Sequence, residues 1–261
     1  MRSLSIAATG MLAQQLNVEV ISNNIANLNT TAFKSQRAEF QDLLYQNERS
    51  VGANSSDSGT IVPVGVQIGT GVKAAAVYRI AQQGNLTNTN NPLDLAIQGH
   101  GYLQVQMPDG STSYTRDGSL QLSATGELVT ADGYAIQPSI SIPQNTTAIT
   151  INANGQVMAT VAGQTTPQTV GQLQLANFPN EAGLAQQGNN LLTETPASGA
   201  ATTGNPGTTA YGTIQQGFLE TSNVNIVSEI TNLISAQRAY EMNSKVIQTS
   251  DQMMSTLNQI Q

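Results

Sequence analysis

His100 is the only histidine in the chain, and it sits between Gly99 and Gly101. With no second histidine and no cysteine, the sequence cannot assemble a zinc site of imidazoles and thiolates. It also has no thiol nucleophile and no disulfide. A Ser-His-Asp relay would have to run through His100, and no Gly-x-Ser-x-Gly elbow occurs. Gly65-Val-Gln-Ile-Gly-Thr-Gly71 and Gly99-His-Gly101 share only glycine with nucleotide loops. Neither opens a helix after a strand, and no Gly-x-x-x-x-Gly-Lys-Ser/Thr is present. Paired carboxylates would have to come from Asp94, Asp109, Asp117, Glu127 and Asp132. Three of these precede glycine, where aspartate serves turn geometry. No calcium-loop spacing occurs. The sequons at Asn29, Asn85 and Asn145 are ordinary in an Asn- and Thr-rich chain. The residues therefore predict no catalytic, cofactor or metal site, and the chain is not expected to be an enzyme.

Composition points the same way. Only 10% of the 261 residues are charged, against a usual quarter. A surface of Asn, Gln, Ser, Thr and Gly repels identical copies weakly, which favours self-packing. A secreted β-protein can share that composition. The net charge of −7 and nine scattered Lys and Arg give no basic footprint for nucleic acid and no polybasic membrane anchor. No run of 18 apolar residues is present. The N-terminus lacks the unbroken apolar core of a cleaved secretory signal.

The two ends carry helical patterns. Leu4, Met11, Val18 and Ile25 recur every seven residues, with Ala7, Gln14, Ile21 and Leu28 three residues behind each. This is an a/d seam, predicting a helix from about Ser3 to Asn27, roughly 37 Å long. Asn27 to Thr31 is a stop, because Asn tolerates the left-handed cap conformation. At the other end Ile226, Leu233, Tyr240, Ile247 and Met254 are also seven apart, with Ile230 and Ala236 widening the stripe. Near Val246 the pattern shifts by one position, to Val246, Met253, Leu257 and Ile260. Asn223 or Asn225 can cap this helix. One such stripe alone would equally suit a core-facing helix of a globular domain. Two at opposite termini, around a middle with no helical pattern, call for each other or for neighbouring copies.

The middle alternates like strands at Tyr102–Met107, Gly118–Leu122, Gly126–Thr130, Ala148–Ile151, Gln156–Val161 and Gln172–Phe178. Asp109-Gly110, Asp117-Gly118, Thr125-Gly126, Asp132-Gly133 and Asn154-Gly155 fall between them. Asp-Gly and Asn-Gly are strong hairpin signals. Thr195–Thr209 reads as a surface loop or linker. Gln46 to Gly71 reads as a polar loop leading into an extended arm, a segment that is either functional or simply mobile. The fold class is α+β: N- and C-terminal helices pairing as a coiled-coil-like domain, an extended arm, and a central all-β domain of short antiparallel strands. The expected divisions are 1–33, an N-terminal helix; 34–75, a linking arm; 76–216, the β domain; and 217–261, the C-terminal helix.

Residues 3–34, with Gly10-Met11 and Ser22-Asn-Asn-Ile-Ala-Asn27, resemble the signature of the flagellar rod and hook axial family. Gly217-Phe-Leu-Glu-Thr-Ser-Asn-Val-Asn225 and Gln237 to Asp251 match its C-terminal pattern. Asn91 to Val105 and Tyr114-Thr-Arg-Asp-Gly118 resemble the start of its β domain. The resemblance spans the whole chain. His100, followed by Tyr102 and Leu103, departs from the aromatic residues more usual after the glycine pair. Arg37 to Gln46, with Pro63 to Val72, is similar to the distal-rod branch, where the resemblance implies an arm packed between subunits to straighten and stiffen the rod.

The resemblance implies a structural subunit of the distal rod, self-assembling into a rigid helical tube that passes motor torque to the hook and serves as an export channel. The helices would form the inner layer and the β domain the outer one. The assembly interface expected from the stripes is Leu4, Met11, Val18, Ile21, Ile25, Leu28, Ile226, Ile230, Leu233, Tyr240, Ile247 and Met254. Implied partners are copies of the chain itself, proximal rod proteins, the hook protein, outer-membrane and peptidoglycan ring proteins, and the flagellar type III export apparatus. No cofactor and no nucleic acid are expected. The implied location is the basal body, in the rod crossing the periplasm, reached without a cleaved signal peptide. A proximal rod or hook subunit and a β-rich adhesin are the alternatives.

Overall fold

The computed structural model describes residues 2–49, 64–164 and 166–260, and the chain divides into two compact units. Unit 1 holds residues 1–26, 36–79 and 225–261; unit 2 holds 27–35 and 80–224. With two long terminal helices and many short antiparallel strands, the fold is α+β.

Unit 1 is built on α1 (Arg2–Ala26) and α2 (Ile226–Ile260). The side chain of Asn225 caps α2 by accepting from the backbone N–H groups of Val227 (3.1 Å) and Ser228 (3.2 Å), as an N-cap asparagine should. The two helices pack together in antiparallel fashion. Ser250 Oγ lies 3.3 Å from Ser3 Oγ, and a Cβ on Gly10 would come within 2.8 Å of Asn243 Nδ2. On α1 these points of contact, Ser3 and Gly10, stand one residue before Leu4 and Met11.

A long two-stranded ribbon runs back along α1. Its strands are β1 (Gln36–Asp42), β2 (Tyr45–Arg49), β3 (Val66–Gly69) and β4 (Val72–Arg79). β1 pairs with β4 and β2 with β3, all antiparallel. The Leu43 N–H to Gly71 O bond (2.8 Å) carries the ribbon across the break between the pairs. Asn24 fixes its base, donating to Gln36 O and accepting from Gln36 N, each at 2.8 Å. Thr9 Oγ1 accepts from Val72 N at 3.3 Å, and Arg2 pairs with Glu48. Of the predicted arm, 34–75, residues 34–49 and 64–75 are described; residues 50–63 lie outside the described residues.

Among its described residues unit 2 is all β but for a 3-10 turn at Glu181–Gly183. Its largest sheet runs in the order Ala185–Gly188, Leu191–Thr193, Thr112–Thr115, Tyr102–Gln106, Leu175–Asn177, Thr202–Gly204, with Ile136–Gln137 also pairing Tyr102–Gln106. A meander of Thr146–Ile151, Gln156–Val161 and Gln168–Gln172 lies beside it in sequence. Leu95, Val105, Leu120, Leu128, Ile136, Val157, Leu173 and Ile214 form one core cluster. Tyr102 and Tyr114 meet Phe178 edge-on in a second, with ring centres 5.9 and 4.7 Å away.

Four of the five glycine turns behave as read, with Gly110, Gly126, Gly133 and Gly155 at φ between 80° and 86°. Asp117-Gly118 is no hairpin. Gly118 keeps an ordinary φ, and its missing Cβ instead makes room for Leu95 O, which that atom would approach to 1.6 Å. The strand expected over Gly118–Leu122 accordingly shrinks to Gln121–Leu122. Gln172–Phe178 splits in two, because Gln168–Gln172 pairs within the meander and Leu175–Asn177 within the large sheet. Thr195–Thr209 is mostly surface loop, as read, but it is tied into unit 2 rather than being a linker. Thr195 Oγ1 donates to Gly183 O at 2.6 Å, Ser198 is fully buried, and Thr202–Gly204 is a strand of the large sheet. After α1 the left-handed residue is Ala32 rather than an asparagine. A tertiary bond holds it there, Ala32 N donating to Glu220 O at 2.8 Å.

Candidate assembly interface

Apolar side chains are divided unevenly. Among the described residues of unit 1 the buried apolar ones are few and mostly small: Ala7, Ala13, Val20, Ile21 and Ala236. Of the large apolar residues exposed among those described, all but Leu122 belong to unit 1. They include Ile6 and Leu12 on α1, Leu44, Tyr45, Val64, Val66 and Val77 on or beside the ribbon, and eight positions along α2.

Of the residues expected at the interface, Ile21 is buried at 5% exposure. Leu4, Met11, Val18, Ile25, Leu233, Ile247 and Met254 are half-buried. Ile226, Ile230 and Tyr240 remain exposed, at 43%, 45% and 43%. Leu28 is half-buried beyond the end of α1, in unit 2.

The register shift read near Val246 is not a shift of the packed face. That face stays in step along α2 through Leu233, Ala236, Asn243, Ile247, Ser250 and Met254, all buried or half-buried. Val246 and Met253 are exposed at 44% and 59% and belong to a separate outer stripe. Leu257 and Ile260, read with them, have side chains outside the described ones.

The carboxylates considered for chemistry are engaged locally. Asp109 accepts from Ser111 N (2.9 Å) and Ser111 Oγ (2.6 Å), and these bonds hold its pKa below the usual value. Asp117 accepts from Ser119 N and Oγ and from Asn190 Nδ2. It shares a polar recess of about 190 Å³ with Asp132. Asp94 accepts from Asn91, and Glu127 from Ser139. His100 is a surface residue with Nδ1 3.0 Å from Glu181 Oε1. Among the described residues no three His, Asp or Glu side chains gather as metal ligands. None of the described helices is long and apolar enough to cross a membrane.

Sequence reasoning missed a buried charge cluster in unit 2. Glu220 Oε1 accepts from Lys34 Nζ at 2.5 Å and from Gly84 N at 2.8 Å; Glu220 Oε2 accepts from Arg116 Nε at 2.6 Å. Lys34 also donates to Gln82 O (2.9 Å), and Arg116 to the carbonyls of Gly99 (2.7 Å), Ile97 and Gly101 (both 3.2 Å). The three residues are 2–6% exposed. Burial pushes the Glu220 carboxyl up, but Arg116 and Lys34 outweigh it and hold it below the ordinary carboxylate value. Burial, then the Arg116 charge, pulls Lys34 down against the attraction of Glu220. Lys34, Arg116 and Glu220 each lie inside a stretch that carries the family resemblance, but nothing in the sequence pairs them.

Three family descriptions match in succession. "Flagella basal body rod protein" covers residues 4–34, "Flagellar hook protein FlgE/F/G D1 domain" residues 96–159, and "Flagellar basal body rod FlgEFG protein C-terminal" residues 215–260. The flagellar basal-body rod protein FlgG of Caulobacter vibrioides is 60% identical over 260 residues, covering all of this chain and 99% of the relative. FlgG of Borreliella burgdorferi is 45% identical, over 100% of this chain and 98% of the relative. FlgG of Bacillus subtilis is 38% identical over 98% of each. The chain belongs to the family of flagellar basal-body rod proteins, and it is a structural subunit of the distal rod.

Proposed function

We propose that α1 and α2 pair in a coiled-coil-like manner and complete their packing only against neighbouring copies, building a rigid helical tube. The observation that carries this is the concentration of exposed large apolar side chains on unit 1. Contacts that repeat without closing a ring generate a helical filament. Each large apolar side chain fully covered contributes about 1.5–3 kcal/mol. Among the expected interface residues Ile226, Ile230 and Tyr240 are exposed for that contact, and the half-buried Leu4, Met11, Val18, Ile25, Leu233, Ile247 and Met254 complete their burial in it. The proposed division is functional: 1–33 and 217–261 form the wall of the tube, 34–75 is an arm between subunits, and 76–216 is the domain offered to ring proteins. Such a tube passes torque to the hook and leaves a central export channel. Its other partners are proximal rod proteins, outer-membrane and peptidoglycan rings, and the flagellar type III export apparatus, through which it reaches the periplasm-crossing rod. The work is done by assembly, with no catalytic step and no cofactor.

The test is Val18→Asp and Leu233→Asp, each placed on a half-buried stripe position. Basal bodies from cells carrying either variant should lack a complete rod, while the purified variant keeps the β-type circular dichroism and cooperative melt of unit 2. Normal rods, or loss of the unit 2 melt, would count against the proposal.

A further inference from the structure

The exposed apolar residues of α2 form two half-stripes. With about 100° of turn per residue, Ile226, Val227, Ile230 and Ile234 lie roughly 130° to one side of the face packed on α1. Met242, Val246 and Met253 lie roughly 100° to the other side. Each flank is apolar for only half the helix. On the first flank the C-terminal half carries Gln237, Glu241, Lys245, Gln248 and Gln252, all exposed. On the second flank the N-terminal half carries Ser228, Thr231, Asn232 and Ser235, also exposed. The exchange occurs near the middle of the helix.

Two copies of α2 set side by side and level, first flank to second, would face Ile226–Ile234 with serine and threonine. They would also press Glu241 and Lys245 onto Met242 and Val246, removing unpaired charge from water at a cost. Sliding one copy along the other by about 17 residues, roughly 25 Å, brings the Ile/Val half-stripe onto the Met/Val half-stripe and leaves the charges in solvent. Pairing the first flank with itself would close a two-fold dimer, leave the second half-stripe uncovered, and extend no further.

We infer that α2 binds a second copy of α2 in parallel orientation with this stagger, the Ile226–Ile234 half-stripe of one subunit seated on the Met242–Met253 half-stripe of the next. The charge pattern selects the stagger, and because the contact joins different surfaces it repeats from copy to copy. The inference rests on the self-assembly proposed above and adds its register.

The chain has no native cysteine, so paired substitutions report the register directly. In assembled full-length protein, oxidation of Ile230→Cys/Val246→Cys should give a ladder of cross-linked multimers. Ile230→Cys/Ser228→Cys, which a level pairing would join, should stay monomeric on a denaturing gel. Equal or stronger cross-linking of the second pair, or dimers from Ile230→Cys alone, would overturn the stagger. Assembled variants with no cross-link in the first pair would also overturn it. Wild-type chain that never sediments as an assembly would defeat the self-assembly reading instead, which separates the two failures.

Discussion

Unit 2 closes its core with its own residues, whereas unit 1 does not. In unit 2, Leu95, Leu103, Val105, Leu173 and Leu175 are at most 1% exposed, and even the charges inside find partners. In unit 1 the helices touch through Ser3, Gly10 and Ser250, while isoleucine, valine and methionine face outward. One chain thus contains a finished domain and a half-finished one. The difference follows from which side chains each element turns inward, and it suits a subunit that must be self-standing in one part and unsatisfied in the other until a neighbour arrives. Helices this poorly covered gain their order from packing rather than propensity.

The largest effect expected on this contrast is at Glu220. Glu220→Ala leaves Lys34 and Arg116 buried without their counter-charge, which costs about 3–5 kcal/mol. Chemical denaturation should show unit 2 losing that much while the helical signal of α1 and α2 changes little. Next comes a pair of glycines. A methyl on Gly118 would press on the Leu95 backbone at 1.6 Å, so Gly118→Ala should lower the melt of unit 2 by at least the ~1–3 kcal/mol of an overpacked core. Gly10→Ala meets only the end of the Asn243 side chain and gains about 0.8–1 kcal/mol of helix propensity, so it should be near neutral in the free chain. A large loss at Gly10 would break the contrast.

A smaller, graded effect is expected in acid. Glu220 has its folded pKa held below the ordinary value of 4.5. Below that pH the unfolded chain binds more protons than the folded one. Its contribution is therefore complete above about pH 4.5 and is lost as pH falls through the lower folded value. Melts of unit 2 from pH 7 downward should show this acid limb, and Glu220→Gln should flatten it. Smallest is the cap: Asn225→Ala should cost α2 about 1 kcal/mol, read as lost helicity in the free chain.

Much of this was legible in the residues. Period-seven stripes gave both helices to within a residue or two of Arg2–Ala26 and Ile226–Ile260, and Asp109-Gly110, Asp132-Gly133 and Asn154-Gly155 marked turns whose glycine has positive φ. Asp117-Gly118 misled because glycine there answers a close backbone approach rather than a turn, and only the tertiary structure brings Leu95 against it. Within Thr195–Thr209 only the strand Thr202–Gly204 was missed, because loop composition does not reveal a strand whose partner, Leu175–Asn177, is already in a sheet. The Lys34–Glu220 pair spans 186 residues and Arg116–Glu220 spans 104, distances over which a charge in a sequence looks like any surface charge. The two half-stripes of α2 were visible as an offset near Val246, but not which set packs on α1 and which faces out.

The most direct test of the contrast is amide hydrogen exchange on the full chain, free and assembled. The free chain should show slow exchange through the strands of unit 2 and fast exchange along α1 and α2; assembly should slow the helices and leave the strands unchanged. Helices as protected in the free chain as the strands of unit 2, with no further slowing on assembly, would contradict the account.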